Sequence, residues 1–350
     1  MDKHSRIYVA GHRGLAGSAI LRRLKGGGYV NVLGRTHREL DLCSAHDVQR
    51  FFADERPEWV FLAAARVGGI YANSRFPVDF LLENLKIQNN VMEAAWQFGV
   101  NGLLFLGSSC IYPRNAPQPI MEESLLTGPL EPTNQPYAIA KIAGIELCEA
   151  FNRQYGTRFL SVMPTNLYGP NDHYDLEHSH VLPSLIRKFH LAHLAHRGDW
   201  EAIRLDEARH GLIPGDVLEG LRKSPPLVRL WGSGEPRREF LHADDLADAC
   251  VFLMERMDEV FSRSSLFPDG RHVLNIGCGV DLSVRELAAL VADSVGFQGA
   301  VEWDRSKPDG TPRKLLNIDR LSSMGWRSRI SLTEGIRRTV EDYGRVGDFE

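Results

Sequence analysis

Short apolar runs rich in β-branched and aromatic residues recur through the first half of the chain, separated by longer stretches with helical spacing. RIYVAG (6–11), YVNVLG (29–34), EWVFLAAA (58–65), GLLFLGSS (102–109) and RFLSVMP (158–164) read as strands. Residues 79–98, DFLLENLKIQNNVMEAAWQF, carry the spacing of one helical face. The alternation predicts βαβ units and a Rossmann-type, doubly wound parallel α/β sheet. After PTNLYGP (164–170) Pro, His and Gly become more frequent, and the strand-like runs LVRLWG (227–232) and HVLNIG (272–277) stand farther apart. The expected organisation is a Rossmann domain over 1–170, with segments 240–280 returning to pack on it, and a smaller C-terminal α/β lobe over 171–350. Ser283 with Glu286 and Ser331 with Glu334 stand at capping-box spacing, which predicts two helix starts in that lobe.

Composition narrows the class. At 350 residues and 43% apolar, the chain can bury a sizeable core. A formal net charge of -4 and a pI near 6.4 argue against a nucleic-acid surface or a polybasic membrane surface as the main partner. The five cysteines, Cys43, Cys110, Cys148, Cys250 and Cys278, are scattered and show no C-x-x-C pair, which fits a reducing cytoplasm better than a disulfide framework or a structural zinc site. No stretch reaches the roughly 18 apolar residues of a membrane helix, so a soluble cytoplasmic protein is expected.

VAGHRGLAGSAILRRL follows the first strand at once, with Gly11, Gly14 and Gly17 at G-x-x-G-x-x-G spacing. Glycine lets the backbone approach a pyrophosphate closely, and the following helix offers free N–H groups at its positive end. Strand, triplet and amphipathic helix together predict a dinucleotide site. An NAD site usually ends its second strand in an acid that binds the ribose 2′-hydroxyl. Here LGRTHREL puts Arg35, His37 and Arg38 at that point, with Arg13 inside the glycine loop. That favours NADP(H), although Glu39 and Asp41 dilute the signal.

EPTNQPYAIAKIAGIELCEAF places Tyr137 and Lys141 four residues apart, just after Pro136, a suitable first-turn residue. Both then share one helical face, where an ammonium can stabilise a phenolate. A tyrosine near pKa 10 must fall by roughly three pH units to exchange protons near neutrality. Ser108 stands at the end of the fourth predicted strand, and Cys110, two residues on, points to the same side if the backbone is extended. A free cysteine is most often a small buried hydrophobe, so Cys110 by itself carries no role.

The glycine loop, Ser108 and the Tyr137–Lys141 pair together resemble the extended short-chain dehydrogenase/reductase superfamily. The blocks AGHRG, GSSCIYP, LEPTNQPYAIAKIAGI, SVMPTNLYGP, WGSG, REFLHADD and KPDGTPRKLL are similar, from residue 6 to about 340, to the GDP-L-fucose synthase family of GDP-4-keto-6-deoxy-D-mannose 3,5-epimerase-4-reductases. The resemblance implies an NADP(H) enzyme acting on a GDP-sugar. In that chemistry the C4 ketone acidifies C3 and C5, a base and an acid invert both centres through enols, and hydride delivery to C4 fixes the product. Ser108 and Tyr137 then bind the carbonyl oxygen, Tyr137 transfers the proton, Lys141 serves Tyr137 and the nicotinamide ribose, and Cys110 with His180 epimerises.

The same resemblance implies further cofactor contacts. They fall on His12, Arg13, Leu15 and Ala16 besides the three glycines; on His37, Arg38, Glu39, Leu40, Asp41 and Leu42; and on Leu106, Gly107, Ser108 and Ser109. Lys141, Pro164, Thr165, Asn166, Leu167 and His180 complete them. For the GDP-sugar it implies Lys188, Trp231, Arg238 and Asp309, and for assembly a homodimer through the two long helices of the first lobe.

Three departures stand out. His37 replaces a usual arginine, leaving the 2′-phosphate to Arg38 or Arg35, or weakening its recognition; Arg66 replaces the usual lysine in AAARVGGI. Residues 191–225 form an expanded insertion in the substrate lobe. His190, His193 and His196 recur there every three residues, a spacing that drifts around a helix without a further ligand set, so a solvated helix and no metal is expected. A lid over the sugar stays open, as does a related GDP-4-keto sugar such as the one leading to GDP-colitose. A non-catalytic cofactor-binding protein would not require the serine, tyrosine and lysine that are all present.

Overall fold

The structure, a computed structural model, describes residues 1–307 and 309–345. In chain order its strands are β1 (Ile7–Ala10), β2 (Val32–Leu33), β3 (Trp59–Leu62), β4 (Gly102–Leu106), β5 (Phe159–Pro164), β6 (Asn166–Tyr168), β7 (Leu227–Trp231), β8 (Arg237–His242), β9 (Val273–Ile276), β10 (Asp281–Ser283), β11 (Ala300–Asp304) and β12 (Arg313–Lys314). The helices that open the chain are α1 (Leu15–Gly26), α2 (Ala45–Glu55), α3 (Ile70–Arg75), α4 (Pro77–Gln97) and α5 (Gln135–Tyr155). They are followed by α6 (Val181–His196), α7 (Trp200–His210), α8 (Gly215–Leu221), α9 (Ala243–Glu255), α10 (Met257–Ser262), α11 (Val284–Val295), α12 (Asp319–Ser323) and α13 (Leu332–Arg345).

Six strands form one sheet in the order β2-β1-β3-β4-β5-β9, every neighbouring pair parallel. The strands are apolar throughout because helices cover both faces. Successive residues of one strand serve opposite faces: Ile7 and Val9 join Ile20, Leu24, Leu246 and Cys250, whereas Tyr8 and Ala10 join Val48, Phe52, Val91 and Cys148. The chain order reverses between β1 and β3, which leaves a crevice beyond the carboxyl ends of these strands. Gly11 follows directly from the end of β1, and Ser108 stands two residues beyond the end of the neighbouring β4.

A smaller sheet is centred on β8, which pairs with β6, β10 and β12; β7 pairs with β11. The Glu239 carboxylate, fully buried, accepts the amides of Cys278 (2.7 Å), Gly279 (2.6 Å) and Leu316 (3.1 Å), locking β8 to the end of β9 and to β12. A third apolar cluster joins Leu185 and Phe189 of α6 to Val228, Leu230, Leu287, Val291 and Ile336.

Two expectations change here. The helix carrying the three histidines is solvated on one side only: His196 is exposed, whereas Leu191 and Ala192 enter the third cluster, as do Ile203, Ile213 and Leu221 farther along the insertion. His190 lies edge-on against the Tyr343 ring (5.1 Å), and His193 Nδ1 reaches the Gly296 carbonyl at 3.1 Å, so these histidines are spent on packing and backbone. No group of three or more metal-ligating side chains occurs among the described residues. The Ser283–Glu286 capping box forms completely, but at Ser331 only half does. Glu334 turns its carboxylate to Arg337 and Arg338 instead, two guanidiniums placed on the same helical face.

Candidate active site

Gly11 turns the chain out of β1 with φ +82°. A Cβ there would sit 2.7 Å from the Ala64 nitrogen, and a Cβ at Gly17 would sit 2.1 Å from the Gly11 carbonyl oxygen, so loop and helix meet this closely only with glycine at both. Gly14 caps α1 without any side-chain acceptor, and no acid stands in the first turn. The leading N–H groups near Leu15 and Ala16, at the positive end of the helix dipole, are therefore suited to an anionic group such as a pyrophosphate.

At the end of β2 the charged residues sort themselves. Arg35 pairs with Glu55 and lies over the Phe51 ring. Glu39 accepts the Thr36 amide (2.7 Å) and hydroxyl (2.8 Å), which hold its carboxyl below the usual range; Asp41 accepts the Cys43 amide at 2.9 Å. Both acids thus bond within their own turn. His37 is exposed, 3.8 Å from Asp41, while Leu40 is buried in the core and Leu42 packs against it. Arg13 and Arg38 are exposed and make no hydrogen bond or ion pair among the described residues. The His12 ring fills the space against Gly34, with Nδ1 buried and unpartnered. The second departure, Arg66, is absorbed by Glu83 (2.8 Å) and Asp79 (3.3 Å).

On α5, with Pro136 in its first turn, Lys141 is only 3% exposed and donates Nζ to the Leu106 carbonyl at 2.7 Å. Desolvation pulls its ammonium down to about 7. Tyr137 moves the other way: desolvation and then the Cys110 charge push its phenol up, opposed only by a hydrogen bond with Ser108. The lowering of the phenol by Lys141 expected from i,i+4 spacing is therefore not supplied by these residues alone. The ammonium faces a carbonyl, and its Nζ lies 5.9 Å from the Tyr137 ring centre.

The backbone at Cys110 is not extended. Residues 109–111 form a 3₁₀ turn, because the Ser108 hydroxyl accepts the Cys110 amide at 3.2 Å and the Ser108 carbonyl accepts that of Ile111 at 3.2 Å. Ser109 is buried in that turn, and Gly107 packs so closely on Met163 that a Cβ would come within 2.4 Å of its sulfur. The Cys110 sulfur is left 3.2 Å from Asn134 Nδ2 and 3.5 Å from Lys314 Nζ. Desolvation raises the thiol, but the Lys314 charge and hydrogen bonds from Ser108, Lys314 and Asn134 outweigh it, leaving Cys110 below the ordinary thiol range. Lys314 arrives through sheet register, since β12 sets it opposite Arg238 on β8.

His180 caps α6, and its imidazole is drawn below the usual range by desolvation first, then by the charges of Lys314 and His173. Lys314 thus acts on both Cys110 and His180. Lys188, further along α6, brings Nζ to 6.0 Å from the Trp231 ring centre; Lys307 comes to 5.4 Å from the same ring. Trp231 is 62% exposed and so is not a core residue. Asp309 spends both oxygens on the Ser233 amide (2.8 Å) and hydroxyl (2.7 Å), holding its own loop to the WGSG turn. Arg238 donates to the Arg237 carbonyl at 2.8 Å and is coupled by charge to Cys110 and Asp309. Behind the site Thr165 Oγ1 (3.2 Å) and Asn166 Nδ2 (2.8 Å) both donate to the Glu239 carbonyl, Pro164 ends β5, and Leu167 joins the core. Lys314, Asn134 and Glu239 were not singled out from the sequence; Lys314 sits within KPDGTPRKLL, yet only the β8–β12 register reveals its neighbour.

A family model described as the NAD dependent epimerase/dehydratase family matches residues 7–277. The chain belongs to that family. Among epimerase/dehydratase relatives, a putative GDP-L-fucose synthase 2 of Arabidopsis thaliana is 51% identical, with 98% of this chain and 93% of that protein covered. The GDP-L-fucose synthase of Escherichia coli K12 is 49% identical, over 96% of this chain and 95% of its own. The resemblance read from the sequence blocks is borne out by these relatives. A solved GDP-mannoheptose C4 reductase from Campylobacter jejuni, with NADP bound, superposes with a TM-score of 0.83 at 38% identity, covering 98% of this chain and 99% of that one.

Proposed function

We propose that this epimerase/dehydratase family member converts GDP-4-keto-6-deoxy-D-mannose to GDP-L-fucose with NADP(H), epimerising C3 and C5 and reducing C4. The relatives at about 50% identity along nearly the whole chain support the substrate, and the NADP-bound reductase supports the cofactor. One observation carries the epimerase half: Cys110, two residues from the reductase serine, sits 3.5 Å from a lysine that favours its thiolate.

The glycine loop and the first turn of α1 hold the pyrophosphate, Arg13 and Arg38 the 2′-phosphate, and Lys141 the ribose hydroxyls. When bound, the cofactor supplies the hydrogen and electron pair delivered to C4. Ser108 and Tyr137 hold the C4 oxygen. The Cys110 thiolate takes a proton from the carbon beside the ketone, the electron pair moves to the C4 oxygen as an enolate, and His180, having taken up a proton from water, returns one to carbon from the opposite face while the proton on Cys110 passes to water. After both centres are inverted, Tyr137 protonates the C4 oxygen as reduction occurs. Lys188 and Arg238 meet the diphosphate, Trp231 offers a flat face to the nucleotide, and Asp309 fixes the turn that carries it.

The enzyme works in the cytoplasm, as five free cysteines favour, and as a homodimer joined through α4 and α5, which expose Val78, Leu82 and Ile139. Residues 1–170 with returning segments 240–280 serve the cofactor, and the rest mainly the sugar. Protein supplied with GDP-4-keto-6-deoxy-D-mannose and NADPH should yield GDP-L-fucose by NMR. A reduced but unepimerised GDP-6-deoxyhexose contradicts the reading. Gel filtration checks the dimer against the 39.3 kDa monomer.

A further inference from the structure

The insertion encloses a charged interior that the mechanism does not use. Arg187 of α6 is fully buried, and its Nε donates to Asp206 Oδ1 of α7 at 2.8 Å. Its Nη1 donates to the carbonyls of Tyr174 (3.2 Å) and His210 (2.8 Å), and Nη2 to that of Gly211. The second Asp206 oxygen accepts the Tyr343 hydroxyl from α13. A buried ion pair of this kind is a weak source of net stability, but it fixes geometry, and loss of one partner leaves a charge stranded.

What it fixes is the approach to His180. Tyr174 begins that loop. Asp175 Oδ1 then accepts the amides of Glu177 (3.0 Å) and His178 (2.9 Å), Gly69 donates to the His178 carbonyl at 2.8 Å, and His180 caps α6 with its carbonyl accepting the Ser184 amide at 3.1 Å. Arg187 holds the start of the loop through the Tyr174 carbonyl and stands, on α6, in the helix that ends it.

We propose that the Arg187–Asp206 pair is a positioning device through which the insertion braces the 174–180 loop and keeps His180 at the sugar, rather than folding over the site as a lid. This rests on the epimerising role given to His180 above. Asp206→Asn keeps the side-chain volume and removes the charge; Tyr343→Phe removes one hydroxyl donor and serves where Asp206→Asn does not fold. Two rates separate the halves of the reaction at saturating sugar. One is deuterium uptake at C3 and C5 from heavy water, and the other is transfer of deuterium from C4-labelled GDP-L-fucose to NADP⁺, which needs no epimerisation. Uptake should fall roughly tenfold or more in Asp206→Asn, since small misplacement of a catalytic group can cost about 10²-fold, while C4 transfer stays within about twofold. Tyr343→Phe should follow in the same direction with a smaller loss. Backbone amide exchange should quicken at 174–184 and stay unchanged at 11–17. Parallel loss of both rates, unchanged uptake, or unaltered amide protection at 174–184 in a folded variant overturns the brace. A wild-type protein that shows neither uptake nor transfer overturns the proposed function, and the amide exchange still tests the brace.

Discussion

The Lys314 ammonium stands 3.5 Å from the Cys110 sulfur, across 204 positions of chain, and its charge bears on His180 as well. One cation therefore favours a thiolate on one group and a neutral imidazole on the other. Because the Cys110 thiol lies below its ordinary range, the thiolate fraction grows with pH from an early point. Lys314→Met should move the acid limb of C3 and C5 deuterium uptake to higher pH. At pH 7 the rate should drop roughly tenfold or more, the thiolate fraction lost when an opposite charge at this range is removed, and recover as pH is raised. A pH–rate profile of uptake in both proteins checks this.

Lys141 makes the cofactor-free protein sensitive to pH. Its ammonium is ordinary at 10.5 when unfolded and about 7 when folded, so between those values the unfolded chain binds a proton that the folded chain does not. Stability contributed by this site is lowest below pH 7 and rises through the window. Relative to Lys141→Met, the wild type should gain about 2 kcal/mol between pH 7 and pH 9. Urea unfolding at the two pH values measures the difference; no relative gain contradicts it.

The 2′-phosphate should depend on Arg38 and Arg13, not on Arg35, which is taken by Glu55 and Phe51. Loss of a charge-assisted bond to phosphate costs about 1.5–3 kcal/mol, so Arg38→Ala should raise KM for NADPH roughly tenfold or more and leave KM for NADH unchanged. Arg35→Ala should lower Tm more than it alters that preference. Steady-state kinetics with both cofactors distinguish the two.

Trp231 separates binding from stability. At 62% exposure its truncation should change folding free energy by no more than about 0.5 kcal/mol. If its ring meets the nucleotide between Lys188 and Lys307, Trp231→Ala should raise KM for the GDP-sugar roughly tenfold, the range of a lost aromatic contact. Thermal melting and initial-rate kinetics read the two effects.

Much of this was legible in the sequence because it is local. The runs at 6–11, 58–65, 102–109 and 158–164 contain β1, β3, β4 and β5, since strands buried on both faces must be continuously apolar. The glycine loop, the first-turn proline of α5 and the Ser283 cap are local rules obeyed in place. What escaped depends on side chains that compete for backbone bonds nearby or find partners far along the chain. Ser108 closing a turn on the Cys110 amide competes with extended backbone, a choice periodicity does not encode. The fates of Arg35 and Glu39 depend on Glu55 and Thr36. The insertion reads as polar with scattered histidines, yet Arg187 finds Asp206 and Leu191, Ile203 and Ile213 find a core from other elements.

The central claim is that Cys110 and His180 epimerise in the site where Ser108, Tyr137 and Lys141 reduce. Incubation of GDP-4-keto-6-deoxy-D-mannose and NADPH with wild type and Cys110→Ala in heavy water, followed by NMR of the product, tests it most directly. Wild type should give GDP-L-fucose carrying deuterium at both C3 and C5, while Cys110→Ala should lose that uptake and still oxidise NADPH on a pre-epimerised keto sugar. Reduced product without deuterium at those carbons, or undiminished uptake in Cys110→Ala, would contradict it.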